Sequence, residues 1–243
     1  MIPPQKVQKM SDPKNYLEKD PVFNADMLDA LLTEGTKICY SEEDGVMLRI
    51  GEKGPYMISV KTEEAMKKTA KLIAEERYMA IIRPLKLIPQ FFEEKGKPAE
   101  MMPCYQAAYL SGKRKPEAEI PGIEIRPLEK EHISFVCANY DDDERYIASR
   151  VEYGMLGAFD EEGNCAGFIG FHGEGAMGLL KVLPEYRRRG IGEALESRMI
   201  NRRLAEGRIP YDHVVVGNEK SMCLQRKIGM ELSEKIVTWV FTD

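Results

Sequence analysis

The second half of the sequence predicts two helices followed by a strand-rich stretch. Residues 123–126 alternate as a short strand, and the second helical stretch opens at the acidic run Asp141-Asp142-Asp143. Further along, Ile191, Leu195 and Met199 recur at helical spacing on one face of a long helix. The elements predicted after the two helices are strands at residues 155–159, 165–171 and 176–183, a helix at 191–206, a strand at 212–216, a helix at 219–228 and a strand at 235–241.

The first half predicts the same order, β-β-β-α-β-α-β. Its elements are strands at residues 37–40, 46–50 and 56–60, a helix at 62–74, a strand at 78–82, a helix at 85–95 and a strand at 105–110. The hairpin turns of the two halves match at a shift of about 119 residues. This favours a degenerate internal duplication, and the alternative is chance agreement between two ordinary α+β patterns.

A polar segment containing Pro and Gly separates the halves. We therefore predict an N-terminal domain over residues 1–112, a linker over 113–122 and a C-terminal domain over 123–243. The length of 243 residues is long for one compact domain and suits two. The expected fold class is α+β, with a mixed, mainly antiparallel sheet flanked by helices in each half.

Composition narrows the class of protein. Hydrophobic residues make up 43% of the chain, which is enough for a folded core. The formal charge of −5 argues against a general nucleic-acid-binding protein. No run of eighteen apolar residues and no secretory signal is present, so we expect a cytoplasmic protein that does not bind membranes.

Cysteines and histidines offer little for a metal site. The five cysteines are widely spaced without a C-x-x-C pair, and they are interpreted as reduced core residues. The three histidines lie about forty residues apart, without the spacing of a metal motif. We therefore expect no bound metal.

A candidate anion site lies where the third strand of the second half meets the long helix. The segment reads Leu183-Pro-Glu-Tyr-Arg-Arg-Arg-Gly-Ile-Gly192. Backbone N–H groups at a helix start, glycines and three arginines together favour a pyrophosphate. The equivalent segment of the first half, Thr62-Glu63-Glu64-Ala65, carries carboxylates that repel phosphate. The spacing fits neither a P-loop nor a dinucleotide-binding motif, and the simpler alternative is an arginine-rich helix cap on a solvated face.

Two motifs in order resemble the GNAT superfamily of acyl-CoA-dependent N-acyltransferases. Residues 178–192 fit its strand and R-x-x-G-x-G loop, and residues 218–230 resemble its N-x-x-[AS]-x-x-L-Y-x-K-x-G-F motif. The resemblance covers about residues 123–241. Residues 210–214, together with the degenerate first half, are similar to the glycine N-acyltransferase-like branch. Gln225 replaces the tyrosine of the second motif, which in the family protonates the leaving thiolate.

The resemblance implies acetyl-CoA as co-substrate. The third strand would bind the pantetheine arm through its backbone, with an N–H near Leu180 as oxyanion donor, and the arginine loop would bind the pyrophosphate. The residues so implicated are Leu180, Lys181, Val182, Arg187, Arg188, Arg189, Gly190, Ile191, Gly192, Asn218 and Ser221.

Two residues are candidates for the general base. Glu174 lies just before the third strand, where the family usually places a glutamate, but its glycine neighbours also suit an ordinary turn. His213 lies on the next strand, and histidine is the side chain that most often serves as a general base, but a lone strand histidine is often structural. The acidic residues 141–144 either attract a cationic amine or cap a helix.

The resemblance therefore predicts an N-acetyltransferase acting on a small-molecule amine or amino acid, as a monomer or homodimer. The alternatives are a CoA-binding regulatory pseudoenzyme and a peptide or protein N-terminal acetyltransferase. Only thirteen residues follow Met230, enough for one long strand instead of the family's last hairpin. We expect the first half to pack against the edge that this strand leaves open and to complete the sheet.

Overall fold

The structure is a computed structural model that describes residues 11–242. Its helices are α1 (Pro13–Leu17), α2 (Ala25–Ala30), α3 (Glu63–Leu72), α4 (Ile88–Lys95), α5 (Ile133–Asn139), α6 (Glu144–Gly154), α7 (Ile191–Ala205) and α8 (Glu219–Lys227). Its strands are β1 (Thr36–Glu42), β2 (Gly45–Ile50), β3 (Tyr56–Val60), β4 (Met79–Arg83), β5 (Glu100–Ala108), β6 (Glu124–Pro127), β7 (Leu156–Phe159), β8 (Cys165–Phe171), β9 (Met177–Val182), β10 (Tyr211–Val215) and β11 (Glu231–Phe241).

The chain forms two compact units whose limits differ from the predicted domains. Unit 1 contains the described residues up to Pro103 and those from Lys235 onward, and unit 2 is Cys104–Glu234. Residues 104–112, which the sequence assigns to the first domain, thus belong to unit 2. The chain crosses between units inside β5 and again inside β11, because each unit takes its last strand from the other half of the sequence.

Unit 1 is built on a meander of β1, β2 and β3, with β4 parallel to β3 and the end of β11 antiparallel to β4. Helix α3 begins at Thr62, whose hydroxyl accepts a hydrogen bond from Ala65 N–H at 3.1 Å. Met47, Ile58 and Val240 are buried in one core with residues of α3 and α4. The last strand of this unit is therefore supplied by the C-terminal part of the sequence.

Two short helices of unit 1, α1 and α2, have no counterpart in the sequence prediction. Helix α2 is buried along its whole length, so it lacks the alternation of apolar and polar positions that marks a surface helix. Its Asp26 forms a fully buried ion pair with Arg83 of β4. The guanidinium of Arg83 also donates to the carbonyl oxygen of Phe23 at 2.6 Å. A charge-paired network thus fixes α2 on the sheet.

Unit 2 contains an antiparallel sheet in the order β6-β7-β8-β9. A second group of strands places β5 between β10 and the beginning of β11. Gln106 N–H on β5 donates to the Ser233 hydroxyl at 3.1 Å, and Tyr211 of β10 pairs with Ala108. A strand from the first half of the sequence therefore pairs with β10, which confirms the expectation that the first half completes this edge.

The order of elements repeats along the chain. Two helices, a three-stranded meander, a helix, a strand, a helix and a strand follow one another in each half. All strand pairs with a determined register are antiparallel except β3 with β4. The predicted α+β class with a mainly antiparallel sheet is confirmed.

The predicted linker packs against unit 2. Lys115 N–H donates to Asn201 Oδ1 at 2.7 Å, and its ammonium group donates to the carbonyl oxygen of Ile228 at 2.6 Å. Glu117 pairs with Arg198 at 3.3 Å. The segment is thus fixed to the surface of α7 rather than free. Over residues 11–242, no helix has the length and apolar character needed to span a membrane.

Candidate acyl-CoA site

Strands β9 and β10 of unit 2 are neighbours that belong to different sheets. They approach within 8 Å between Cα atoms, yet β9 ends the four-stranded sheet and β10 pairs with β5. A strand at a sheet edge offers its N–H and C=O groups to an extended ligand. Leu180, Lys181 and Val182 lie on this edge and are partly exposed. The third strand of the second half is thus separated from the strand that follows it in the sequence.

A β-bulge interrupts β9 beside the gap between β9 and β10. Phe168 pairs with Lys181 and Gly170 with Gly178, so two residues of β9 face Ile169 alone. One of these two residues is Leu179, which has a φ of 54°. A bulge leaves one residue outside the ladder, and a leucine in the left-handed region is strained. The bulge thus sets a backbone N–H of Leu179 or Leu180 apart from the β8 pairing. The sequence gives no sign of this conformation at Leu179, because a positive φ is usually adopted by glycine.

The arginine loop forms the start of α7. Gly190 is the N-cap with a φ of 85°, and Arg188 has a φ of 65°. Successive N–H groups in such a turn form a concave anion-binding nest, to which the first N–H groups of the helix add their dipole. A Cβ built at Gly190 meets no described atom within 4 Å, so the nest is open. The geometry fits a phosphate.

The three arginines around the nest are exposed, and two of them donate hydrogen bonds to main-chain oxygens. Arg187 Nε donates to the Val182 carbonyl oxygen at 3.1 Å, and Arg189 donates to the Pro121 carbonyl oxygen at 3.2 Å. Arg189 also lies 5.8 Å from the centre of the Tyr186 ring. Two of the guanidinium groups are therefore oriented by the protein itself.

Asn218 and Ser221 mark the start of α8. Asn218 is the N-cap, and its side-chain oxygen accepts from Ser221 N–H at 3.2 Å. This capping role explains the asparagine of the motif locally. Cys223, interpreted from the sequence as a core residue, is exposed, which corrects that interpretation. The helix turns it away from the buried face that holds Met222 and Gln225.

The two candidate bases lie near the start of β9 and β10. The Tyr211 hydroxyl donates to the Glu174 carbonyl oxygen at 2.8 Å and so joins the turn before β9 to β10. His213 Nε2 lies 2.9 Å from Oε1 of the fully buried Gln106, which stands opposite it in the β5–β10 register. Glu174 thus lies in the turn before β9, and His213 lies on β10, held against β5.

His172, which follows β8, lies against β9 and α6. Its Nδ1 is 2.9 Å from the Tyr146 hydroxyl of α6. A Cβ at Gly178 would lie 2.4 Å from its Nε2, so the imidazole ring rests on the β9 backbone only because residue 178 is glycine. Asp143 caps α6 by accepting from Arg145 and Tyr146 N–H groups, which confirms the capping interpretation of that aspartate.

Sequence reasoning missed a buried carboxyl pair beside this gap. Gln225 Nε2 donates to Glu196 Oε1 at 3.1 Å and to Asp212 Oδ2 at 2.9 Å. Burial raises the pKa of both carboxyl groups, and the charge of Asp212 raises that of Glu196 further. Strand alternation could have found Asp212, because it shares a strand face with the buried Val214.

Comparison with known proteins agrees with this geometry. Residues 154–240 match the family described as FR47-like protein. A solved Drosophila protein is 18% identical with a TM-score of 0.64, covering 82% of this chain and 74% of its own. A putative acetyltransferase of the GNAT family from Novosphingobium aromaticivorans is 18% identical with a TM-score of 0.52, covering 95% and 97%. A GCN5-related N-acetyltransferase from Kribbella flavida is 12% identical with a TM-score of 0.55, covering 91% and 95%.

The chain therefore has the fold of the GNAT superfamily. The match to the FR47-like family lies within its second half and spans β7 to β11, the region that carries the gap and the nest. A comparison with curated proteins gave no match.

Proposed function

We propose that the protein is an acyl-CoA-dependent N-acyltransferase that transfers an acetyl group from acetyl-CoA to the primary amine of a small molecule or amino acid. One observation carries the proposal: the bulged edge strand β9 runs directly into the arginine-rich nest at the start of α7. A single continuous segment thus offers a ladder for an amide-containing arm and a cradle for a pyrophosphate.

The nest would hold the anionic end of CoA. Charge-assisted hydrogen bonds from Arg187, Arg188 and Arg189 would add to those of the backbone N–H groups from Gly190 to Gly192. Helix α7 places its positive dipole end behind them. The first-half equivalent begins with Thr62 followed by Glu63 and Glu64, so we assign the CoA site to unit 2.

The edge of β9 would bind the pantetheine arm. Its amide groups can pair with the backbone of Leu180, Lys181 and Val182 as an added strand does. Asn218 and Ser221, at the start of α8, are assigned to the same arm. The N–H freed by the bulge at Leu179–Leu180 would then polarise the thioester carbonyl, which makes it more open to attack by an amine.

The acceptor amine would approach the end of the gap where Glu174, His213 and His172 lie. An amine is protonated at neutral pH and must lose a proton before it attacks a thioester. Glu174 and His213 are the groups that the sequence proposes for this task. Imidazole and carboxylate side chains on both sides of the gap give the site the chemistry for binding and deprotonating an ammonium group.

CoA binding to the full chain tests the nest. Isothermal titration calorimetry with CoA should show binding, and Arg188→Glu should weaken it strongly because the substitution reverses a charge at the phosphates. Arg77→Glu makes the same charge change at an exposed position of unit 1 and serves as control. Equal affinity in Arg188→Glu and wild type would contradict the proposed phosphate site.

Turnover tests the reaction itself. Release of free thiol from acetyl-CoA should depend on a primary amine in a panel of alkylamines and amino acids. Tight CoA binding without turnover on any amine would instead indicate a regulatory CoA-binding protein, which the glutamine at position 225 would suit. Activity confined to peptides would indicate a peptide N-terminal acetyltransferase.

A further inference from the structure

Three side chains meet inside unit 2 without a role in CoA binding: Glu196 of α7, Asp212 of β10 and Gln225 of α8. The amide nitrogen of Gln225 lies within hydrogen-bonding distance of both carboxyl groups, at 3.1 Å and 2.9 Å. Glu196 is only 2% exposed and Gln225 only 1%. One neutral amide, with its two hydrogens, thus bridges two carboxyl groups.

This arrangement is unfavourable for two negative charges. Burial disfavours each carboxylate, and the two repel each other across one neutral group. Glu196 Oε2 has no hydrogen-bond partner among the described residues, as expected of the member that remains uncharged. Asp212 is less buried and lies beside two imidazole groups, which stabilise its charge. Burial and hydrogen bonding therefore favour one proton on Glu196 and one negative charge on Asp212.

The titratable groups that interact electrostatically with Asp212 come from several elements of unit 2. Their charges place Asp212 in an electrostatic cluster that includes both sequence-derived base candidates. They are His213 on its own strand, His172 and Glu174 in the turn before β9, Glu196 on α7, Tyr140 at the end of α5 and Cys104 on β5. Of the buried pair, Asp212 is thus the member that lies on β10, the strand that borders the gap.

We propose that Asp212 is the general base of the acyl transfer, and that Glu196 and Gln225 position it. This assignment rests on the proposed function. An N–H bond of the acceptor ammonium breaks, its electron pair stays on nitrogen, and the proton moves to an Asp212 carboxylate oxygen. The amine then forms the C–N bond as the C–S bond breaks, and the nitrogen releases its second proton to solvent to become the amide nitrogen. The departing sulfur keeps the electron pair of the C–S bond and takes a proton from solvent.

The geometry favours Asp212 over the two residues that the sequence suggests. His213 Nε2 lies 2.9 Å from the amide oxygen of Gln106, so the ring is held against β5. Glu174 is in a turn flanked by Gly173 and Gly175, and its main-chain oxygen, not its carboxylate, is the atom that Tyr211 holds. Asp212 alone has its carboxylate fixed by a buried side chain.

Kinetics of the full chain test the assignment. With acetyl-CoA and an alkylamine, Asp212→Asn should lower kcat about 100-fold, as loss of a general base does, while the KM for acetyl-CoA changes little. O-methylhydroxylamine is already neutral at pH 7 and needs no base to become a nucleophile, so the loss with this acceptor should be several-fold smaller. Glu162→Gln, an exposed carboxyl in the β7–β8 turn, is the matched control.

The pH profile tests whether Glu196 and Gln225 position Asp212 or only maintain the structure. Gln225→Met removes the amide that donates to the Asp212 carboxylate, so Asp212 should ionise at higher pH and the acidic limb of kcat/KM should move to higher pH. Glu196→Gln exchanges one neutral group for another and should leave that limb in place. Carbon-13 NMR titration of the two carboxyl groups, assigned with the same variants, should show one protonated carboxyl group at pH 7. Thermal melting of each variant confirms that it folds.

The outcomes distinguish the two proposals. Wild-type kcat in Asp212→Asn, equal losses with both acceptors, or two carboxyl groups that both titrate near pH 4 would overturn the role of Asp212 while leaving the transferase function standing. Failure of the wild-type protein to bind CoA or to acylate any amine would instead refute the proposed function, on which this role depends.

Discussion

Arg188 connects backbone strain to the proposed phosphate site. Its φ of 65° places a non-glycine residue in the left-handed region, at an exposed position of the nest. That conformation costs roughly 1–2 kcal/mol. Glycine avoids this cost but loses about 0.5–1 kcal/mol through its greater freedom in the unfolded chain. Arg188→Gly should therefore be about 0.5–1 kcal/mol more stable than Arg188→Ala.

The two variants share every other consequence of losing the arginine. Both remove one charge from the run of three arginines, so their difference in stability isolates the backbone. For a chain of this size the gain corresponds to about 1–4 °C in melting temperature. Both should bind CoA about tenfold more weakly, because a charge-assisted hydrogen bond to phosphate is worth on the order of 1.4 kcal/mol. Thermal melting and calorimetry measure the two effects separately.

Arg187 provides the matched control. It has an ordinary extended backbone, with φ −65° and ψ 162°, and its side chain donates to Val182. Arg187→Gly should therefore weaken CoA binding and also lower stability, by about 0.5–1 kcal/mol. Equal stability of Arg188→Gly and Arg188→Ala would refute the strain argument, and unchanged CoA affinity in both would refute the phosphate contact.

Three other perturbations test the fold around the site. Hydrogen bonds from Tyr56 and from an arginine lower the pKa of Glu75 from 4.5 to about 2, so unit 1 should lose stability as the pH falls through that interval, and Glu75→Gln should flatten this dependence in acid denaturation. A chain of residues 113–243 lacks the β5 residues that pair with β10 and should be largely unfolded by circular dichroism; a stable, fully active fragment would contradict the strand pairing. Cys223 is exposed and should react with a thiol reagent at once, whereas Cys104 is buried with its pKa raised to about 12 and should react only on unfolding.

Elements with strong local signals were predictable from the sequence. The buried run of β8, the hairpin turn at Asp160 and the amphipathic face of α7 each depend on neighbouring residues, and each forms where predicted. The arginine nest was predictable for the same reason, since its glycines and its helix start lie within ten residues. Local patterning was therefore sufficient for the arginine nest.

Features that depend on distant residues were not predictable in this way. The β9 bulge is imposed by the register with β8, and leucine gives no sign of it. The bridge from Gln225 to Glu196 and Asp212 joins three elements, and each residue viewed alone suits an ordinary polar position. The short segment after Met230 indicated that the first half completes the sheet of the second. The sequence did not indicate that β5 does so beside β10, or that the end of β11 pairs with β4, because strand partners depend on the whole fold.

That crossing affects how the protein can be made. The second partner of β4, besides β3, is the end of β11, so unit 1 lacks its closing strand until all of Cys104–Glu234 has left the ribosome. During synthesis, β4 therefore has an open edge for as long as the second unit takes to be translated. A newly made chain is then most exposed to pairing with a neighbouring copy at Met79–Arg83, and translation speed through the second unit should influence how much of the protein aggregates.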